Sequence, residues 1–180
     1  MNSQEVQEAN ENASRSWKVM MGSYVILGAT YLLGNHKSGL EEYLHNPDMN
    51  LAAKSLAFSG LGLHFSAFYT FLKHYKKDKK KVVTRAPYSF VRHPSYLGMR
   101  MVAVGGAMLN PTFEMIAATS AVFLTTGITA IAEEKLLKAM DPKEYKVLKE
   151  NASRWIPFGY QARDYGKKLL KILGKSNDKV

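Results

Sequence analysis

Long stretches without charged side chains constrain this sequence more than any other feature. Residues 19–34 and 55–72 carry no charge, and residues 101–132 carry only Glu114 among 32 positions. A helix needs roughly 20 mostly apolar residues to cross the hydrocarbon core of a bilayer, with about 17 as a lower limit. The third stretch is long enough for two short spans joined at Asn110-Pro111, because proline cannot continue a helix ladder. The sequence therefore predicts an all-α, multi-pass transmembrane bundle. Its expected spans, about four in number, lie near residues 17–34, 51–73, 94–110 and 112–132.

The average composition alone argues for a different class, a soluble basic helical protein. Apolar residues make up 46% of the 180 residues, and the mean hydropathy is slightly negative. This alternative leaves the uncharged stretches unexplained. The length of the chain allows only one domain. Cysteine is absent, which excludes a disulfide framework, a cysteine nucleophile and a cysteine-based metal site. We expect no metal.

The placement of charge predicts how the spans are oriented. The loop at 73–85 is rich in lysine, and twelve Lys and Arg residues follow Ala132, whereas the loop at 35–50 holds one lysine and three carboxylates. Because basic loops stay in the cytosol, both chain ends and the lysine-rich loop should face the cytosol. The expected location is the endoplasmic reticulum membrane in a eukaryote or the inner membrane in a bacterium.

The chain ends are expected to lie outside a membrane domain formed by residues 17–158. Residues 1–16 are polar and of mixed charge, without the features of a signal peptide, and we interpret them as a disordered or surface-lying tail. Residues 133–158 should lie at the cytosolic face. Residues 159–180 alternate basic and apolar side chains, which predicts an amphipathic helix on the cytosolic leaflet. The expected partners are the bilayer and a lipid substrate, and no nucleic acid, since no binding module is visible.

Small and polar residues inside the predicted spans are interpreted as packing positions. Gly60, Gly62, Gly105 and Gly106 are expected to let helices approach closely, and His64 is expected to form a hydrogen bond between helices. These residues are therefore not assigned phosphate binding or catalysis.

Ionisable side chains collect at the predicted cytosolic start of span three. Arg92 and His93 precede Pro94, which can be the first residue of a helix without losing a hydrogen bond. Free N–H groups at a helix N-terminus hold anions, and a cationic cluster at the mouth of a membrane helix is costly without a partner. Since spans three and four form a hairpin, Glu133 and Glu134 should face this cluster. The sequence thus predicts a polar site at the cytosolic boundary.

Four short motifs follow one another in a characteristic order. They are Arg-His-Pro-Ser-Tyr-Leu-Gly from residue 92, Asn-Pro from 110, Glu-Glu from 133 and Arg-Trp-Ile-Pro from 154. This order resembles the superfamily of isoprenylcysteine carboxyl methyltransferases and phospholipid methyltransferases, over about residues 82–158. The resemblance implies an integral membrane enzyme that binds S-adenosylmethionine without a Rossmann domain. The chain indeed lacks a strand–Gly-x-Gly-x-x-Gly–helix unit.

The resemblance also implies roles for individual side chains. The implied cofactor pocket is lined by Arg92, His93, Pro94, Tyr96, Glu133 and Glu134. Arg92 and Arg154 are the candidate catalytic residues, because a guanidinium can orient a carboxylate; the alternative for Arg154 is that it only anchors its segment at the headgroups. The candidates for substrate contact are Tyr88, Arg100 and Tyr145, although a tyrosine such as Tyr145 more often packs. Arg100 stands where the family usually has an apolar or aromatic residue, so it either snorkels to the interface or binds a substrate anion.

Three functions remain open from the sequence. The leading hypothesis is methyl transfer from S-adenosylmethionine to the carboxylate of a prenylated cysteine, because Arg-His-Pro-Ser-Tyr and Leu-Asn-Pro resemble that branch more closely. A carboxylate is ionised at neutral pH and needs no general base. The alternative is N-methylation of phosphatidylethanolamine, whose ammonium must first lose a proton to a base such as His93 or a glutamate. The third is a non-catalytic membrane scaffold.

Overall fold

Five α-helices form the part of the chain that the computed structural model describes, residues 3–33, 47–77 and 82–156. They are α1 (Ser3–Leu33), α2 (Pro47–Lys77), α3 (Pro94–Leu109), α4 (Phe113–Met140) and α5 (Pro142–Asn151). These three ranges contain no β-strand and one isolated bridge, between Val91 and Ser153. The predicted all-α class is confirmed. The amphipathic helix predicted at 159–180 lies outside the described residues.

Two of the helices are long and apolar enough to cross a bilayer. They are α2, over Pro47–His74, and α4, over Phe113–Met140. Both leave large apolar side chains exposed, such as Phe58 at 72% and Leu124 at 67%. Contiguous exposed apolar surface marks an interaction site, and on helices of this length it suits contact with lipid acyl chains. The other two predicted spans coincide with the second half of α1 and with α3, and they stay predictions.

Helix α1 continues through the boundary predicted at residue 16. Residues 3–16 are helical, so of the two alternatives for the polar tail, disorder is wrong. The helix forms here because no glycine or proline occurs before Gly22 and most residues are at least moderate helix formers. The polar stretch is also held to α4, since the Thr129 hydroxyl donates to the carbonyl oxygen of Ser16 at 3.1 Å.

Helices α2 and α3 approach closely at glycines. A Cβ atom on Gly60 would lie 2.5 Å from the carbonyl oxygen of Gly98, and one on Gly105 would lie 2.7 Å from that of Ala53. Backbones this close exclude a larger residue, as is usual between membrane helices. The packing predictions for Gly60 and Gly105 are therefore confirmed. The one for Gly62 is wrong, because residues two apart point to different sides of a helix and Gly62 faces open space.

Two further packing predictions are confirmed. A Cβ atom on Gly106 would lie 2.7 Å from the Cε atom of Met115 on α4. The Nδ1 atom of His64 on α2 lies 2.9 Å from the hydroxyl oxygen of Ser95 on α3. His64 thus forms a hydrogen bond between helices.

Helices α3 and α4 form the predicted hairpin at Asn110-Pro111. Thr112 caps α4, because its hydroxyl accepts a hydrogen bond from the backbone N–H of Met115 at 3.2 Å. An apolar cluster packs the hairpin against α1; its buried members are Leu27, Ala103, Met115, Ala118 and Val122. The hairpin returns residues 133–134 of α4 to the start of α3, and this geometry positions the site.

Candidate active site

The segment before α3 is fixed by the segment after α5. The backbone N–H of Arg92 donates to the carbonyl oxygen of Ser153 at 2.8 Å, beside the bridge between Val91 and Ser153. The backbone N–H of Val82 donates to Oε2 of Glu144 in α5 at 3.2 Å. These contacts hold the segment before α3 against α5 and the segment that follows it.

Glu134, near the end of α4, is the centre of a buried ionic cluster. Its carboxylate accepts hydrogen bonds from Nε and Nη2 of Arg154 at 2.9 and 2.7 Å and lies 3.1 Å from Nη1 of Arg92. The Nε2 atom of His93 lies 3.2 Å away, and the Tyr145 hydroxyl donates at 3.1 Å. We call these five side chains the Glu134 cluster. Only 7% of Glu134 is exposed, and protein donors compensate the cost of burying its charge.

Glu133 precedes Glu134 by one residue and therefore points about 100° away around the helix axis. The Tyr96 hydroxyl donates to its Oε1 atom, and its Oε2 atom lies 3.5 Å from Nδ1 of His93. A third of its side chain, 33%, is exposed. Glu133 is thus oriented by the protein but retains acceptor capacity for a ligand.

His93 lies between the two carboxylates. Its Nδ1 atom faces Glu133 and its Nε2 atom faces Glu134, while its ring stacks on that of Tyr96 with the centroids 5.5 Å apart. Burial alone lowers the pKa of His93, but the hydrogen bonds and negative charges of Glu133 and Glu134 outweigh burial and raise it overall. A protonated imidazole donates from both nitrogens, so the charged form of His93 can bond to both carboxylates.

Two other members of the Glu134 cluster are each held in one protonation state. The hydrogen bond to Glu134 raises the pKa of Arg154 against the opposing effect of burial. Burial, followed by the charge of Glu134, raises the pKa of the Tyr145 hydroxyl. Arg154 therefore stays cationic and Tyr145 neutral near pH 7, and neither is suited to accept a proton from a substrate.

Trp155 connects the cluster to Arg100 on α3. Its ring lies 5.6 Å from that of His93 between centroids, and the guanidinium carbon of Arg100 lies 3.7 Å from its centroid. The guanidinium also donates from Nε to the Thr126 hydroxyl at 2.8 Å and from Nη2 to the carbonyl oxygen of Phe123 at 2.9 Å. Arg100 is thus fixed against α4 and Trp155, next to the site.

The structure adds a residue that sequence reasoning missed, Tyr24 on α1. Its side chain packs with Met20, Tyr96 and Ala130. Its hydroxyl is buried without a hydrogen-bond partner in the described part of the chain, and so is the Nε atom of Arg92. Unpaired buried donors are costly, which makes both groups candidates for binding a ligand. In the sequence, Tyr24 is one hydroxyl in an uncharged stretch and belongs to no motif.

The remaining predicted residues differ in their placement. Pro94 is the first residue of α3 and shapes the turn. The Tyr88 hydroxyl donates to the carbonyl oxygen of Ala67 on α2 at 3.4 Å, and burial, followed by the charge of Glu133, raises its pKa. Tyr88 and Arg100 therefore lie at the edges of the site. The predicted residues that the structure brings together at its centre are Arg92, His93, Tyr96, Glu133, Glu134, Tyr145 and Arg154.

The sequence model of one family, phospholipid methyltransferase, matches residues 51–141. The matched stretch is half of the chain and runs from α2 to the end of α4, so it contains Arg92, His93 and both glutamates. Arg154 and Trp155 lie beyond it. No curated protein and no solved structure matches the chain.

Proposed function

Because the chain belongs to the phospholipid methyltransferase family and is therefore a membrane methyltransferase, we propose that it transfers a methyl group from S-adenosylmethionine to the polar head of a lipid or lipid-linked molecule. The observation that carries this proposal is the orientation and partial exposure of the Glu133 carboxylate. Its carboxylate is oriented by Tyr96 and His93 and is partly exposed. Such a group suits the ammonium and sulfonium charges of the cofactor.

The residues present fit the charges of the cofactor. Glu133 would face its cationic groups, whereas the unpaired Nε of Arg92 and hydroxyl of Tyr24 would donate to its carboxylate. When bound, the cofactor supplies an electrophilic methyl group. Glu134 would not contact it, because protein donors already occupy this carboxylate. We assign Glu134 the role of holding the surrounding cations in place.

The family match favours a phospholipid amine as the methyl acceptor. An ammonium has no lone pair, so its nitrogen must lose a proton before it can attack the methyl carbon. His93 is a poor base for this proton, because the neighbouring carboxylates raise its pKa and favour its protonated form, which cannot accept a proton. Glu133, whose carboxylate is partly exposed, is the better candidate.

A prenylated cysteine is the second candidate acceptor. Its carboxylate is ionised at neutral pH and needs no base, so this reaction does not require His93 to accept a proton. The sequence predicts that Arg92 and Arg154 orient this carboxylate, but in the structure both pair with Glu134. A carboxylate acceptor would therefore need another cation, and Arg100 is the nearest candidate.

We also propose that the site faces the cytosol, because lysines collect at this end of α4. The chain has no cysteine, so single cysteines can be labelled from either side of sealed vesicles. Lys138→Cys should react only from the cytosolic side. Phe113→Cys, at the opposite end of α4 and 81% exposed as Phe, should react only from the other side. The reverse pattern would refute the orientation.

Calorimetry of the detergent-solubilised protein tests the cofactor proposal. The wild type should bind S-adenosylmethionine, and Glu133→Ala should bind it weakly or not at all. Arg15→Ala is the control, because the Arg15 side chain is 78% exposed, and it should bind as the wild type does. A folded wild-type protein that does not bind the cofactor would refute the proposal and favour the scaffold hypothesis.

The pH dependence of methyl transfer separates the two acceptors. With labelled S-adenosylmethionine, the rate on phosphatidylethanolamine should rise with pH as the amine loses its proton. The rate on N-acetyl-S-farnesylcysteine should be flat over the range in which the cofactor binds. Transfer to one acceptor alone identifies the substrate class.

A further inference from the structure

We infer that Arg100, with Trp155 beside it, binds the anionic group of the methyl acceptor. That group is a phosphodiester if the acceptor is a phospholipid and a carboxylate if it is a prenylated cysteine. The inference rests on the proposed function, since it concerns the acceptor of the same reaction.

Arg100 differs from the other arginines of the site in its charge balance. Arg92 and Arg154 lie 3.1 and 2.7 Å from the carboxylate of Glu134. Within residues 3–33, 47–77 and 82–156, no carboxylate lies within ion-pair distance of Arg100. Its acceptors there, a hydroxyl and a carbonyl oxygen, carry no net charge. A cation inside a membrane helix is costly without a counter-charge, so binding of an anionic ligand would compensate the charge of Arg100.

The position of Arg100 along α3 suits the headgroup region of the bilayer. The helix begins at Pro94, so the Cα atom of Arg100 lies about 9 Å along it. The guanidinium lies beside Phe123 and Thr126 on α4 and contacts the ring of Trp155. Trp155 in turn lies beside His93 at the helix start, and tryptophans are common at the level of the headgroups.

The packing of Arg100 argues for recognition over simple anchoring. A snorkelling arginine extends its charged end into water. The guanidinium of Arg100 instead lies 3.7 Å from the ring centroid of Trp155 and 4.8 Å from that of Phe123, and Nε and Nη2 are bonded to α4. A guanidinium has five N–H donors in a rigid fork that matches carboxylate and phosphate oxygens. With Arg100 fixed in this way, its remaining donors are pre-oriented for an anionic group.

The fluorescence of Trp155 provides a direct binding assay. The chain has two tryptophans, and Trp17→Phe leaves Trp155 as the reporter. The protein is held in an uncharged detergent without phosphate buffer and titrated with dihexanoyl phosphatidylethanolamine or with N-acetyl-S-farnesylcysteine. The uncharged counterparts are dihexanoylglycerol and the methyl ester of the farnesylcysteine. We expect one of the two probes to change the emission through its phosphodiester or carboxylate, and the counterpart that lacks this anionic group to bind far more weakly.

Substitutions of Arg100 then test the assignment. In Arg100→Gln the dissociation constant of the active probe should rise about 10- to 100-fold, the usual effect of losing a hydrogen bond to a charged group. Arg100→Lys keeps the charge without the fork and should lose less. Lys138→Gln makes the same charge change at an exposed position and should bind as the wild type does. Affinity for S-adenosylmethionine should be unchanged in all three, which also shows that they fold.

Two outcomes would overturn the inference. If Arg100→Gln or, should that variant not fold, Arg100→Lys binds the probe like the wild type, Arg100 is an interfacial anchor. If the affinity for S-adenosylmethionine falls instead, Arg100 holds the cofactor. Failure of the proposed function looks different, because the probe would bind in an Arg100-dependent way while the wild type fails to bind S-adenosylmethionine.

Discussion

Glu133 and Glu134 are adjacent in the sequence, yet the structure surrounds them in opposite ways. Glu134 is buried, and its carboxylate oxygens are taken up by two arginines, a histidine and a tyrosine. Glu133 meets only Tyr96 and His93 among the described residues and keeps 33% of its side chain exposed. The carboxylate of Glu134 therefore has little capacity left to bind a ligand, whereas that of Glu133 can still accept a hydrogen bond or an ion pair from one. The degree to which protein donors saturate a carboxylate therefore separates a structural group from a binding group better than its charge does.

Removing Glu134 should have the largest effect on stability. In Glu134→Ala, Arg92 and Arg154 would lose their counter-charge, and His93 would keep only that of Glu133. Breaking a buried ion pair by removing one partner costs about 3–5 kcal/mol, and we expect a loss of this size in the free energy of unfolding, measured in detergent with a chemical denaturant. Glu133→Ala is the matched control and should lose about 1 kcal/mol. Equal losses in the two variants would contradict the comparison.

Removing the charge of Glu133 should instead have the largest effect on the cofactor. Glu133→Gln keeps the shape and the Tyr96 contact but cannot balance a cationic ligand, so affinity for S-adenosylmethionine should fall about 10- to 100-fold. Calorimetry measures this. If Glu134→Gln remains folded and loses more affinity than Glu133→Gln, the two roles are assigned the wrong way round.

Local patterns in the sequence predicted those parts of the fold that depend on local chemistry. Uncharged stretches predicted the apolar helices, and Asn110-Pro111 predicted the hairpin that brings Arg92 and His93 to the end of α4. That proximity is confirmed, since His93 lies 3.2 Å from Glu134.

The features that the sequence did not predict depend on which face of a helix a residue occupies and on contacts with residues far away in the sequence. Gly62 looked like Gly60, but only the face turned to α3 is closely packed. The difference between the two glutamates depends in part on Tyr145 and Arg154, which α5 and the segment after it bring to one of them. Tyr24 comes from a separate helix, α1, and no motif links it to the site.

Two tyrosines, one bonded to each glutamate, provide a smaller test of the difference between Glu134 and Glu133. Tyr145→Phe removes a hydroxyl that bonds Glu134 at 3.1 Å, and it should lower the free energy of unfolding by about 1–2 kcal/mol while leaving cofactor affinity nearly unchanged. Tyr96→Phe removes the donor that orients Glu133, and it should weaken cofactor binding several-fold. Thermal unfolding measures the stability of both variants, and calorimetry measures their affinity for S-adenosylmethionine. If both variants lost stability and neither lost affinity, the assignment of a structural role to Glu134 and a binding role to Glu133 would be contradicted.

The smallest effect is expected from the protonation of His93, which contacts both carboxylates. Its pKa is raised above the usual value of 6.5, so the stability gained from its charge is fully present below about pH 6.5 and is lost as the pH rises through the folded-state pKa. The effect is limited because neutral imidazole still donates one hydrogen bond. The wild type should therefore be more stable than His93→Gln at low pH, and the difference should shrink as the pH increases from 6.5. The free energies of unfolding of both proteins, measured across this range, provide the check. A difference that grows with pH would mean that His93 is neutral between the carboxylates, and it would then be available as the base that an amine acceptor requires.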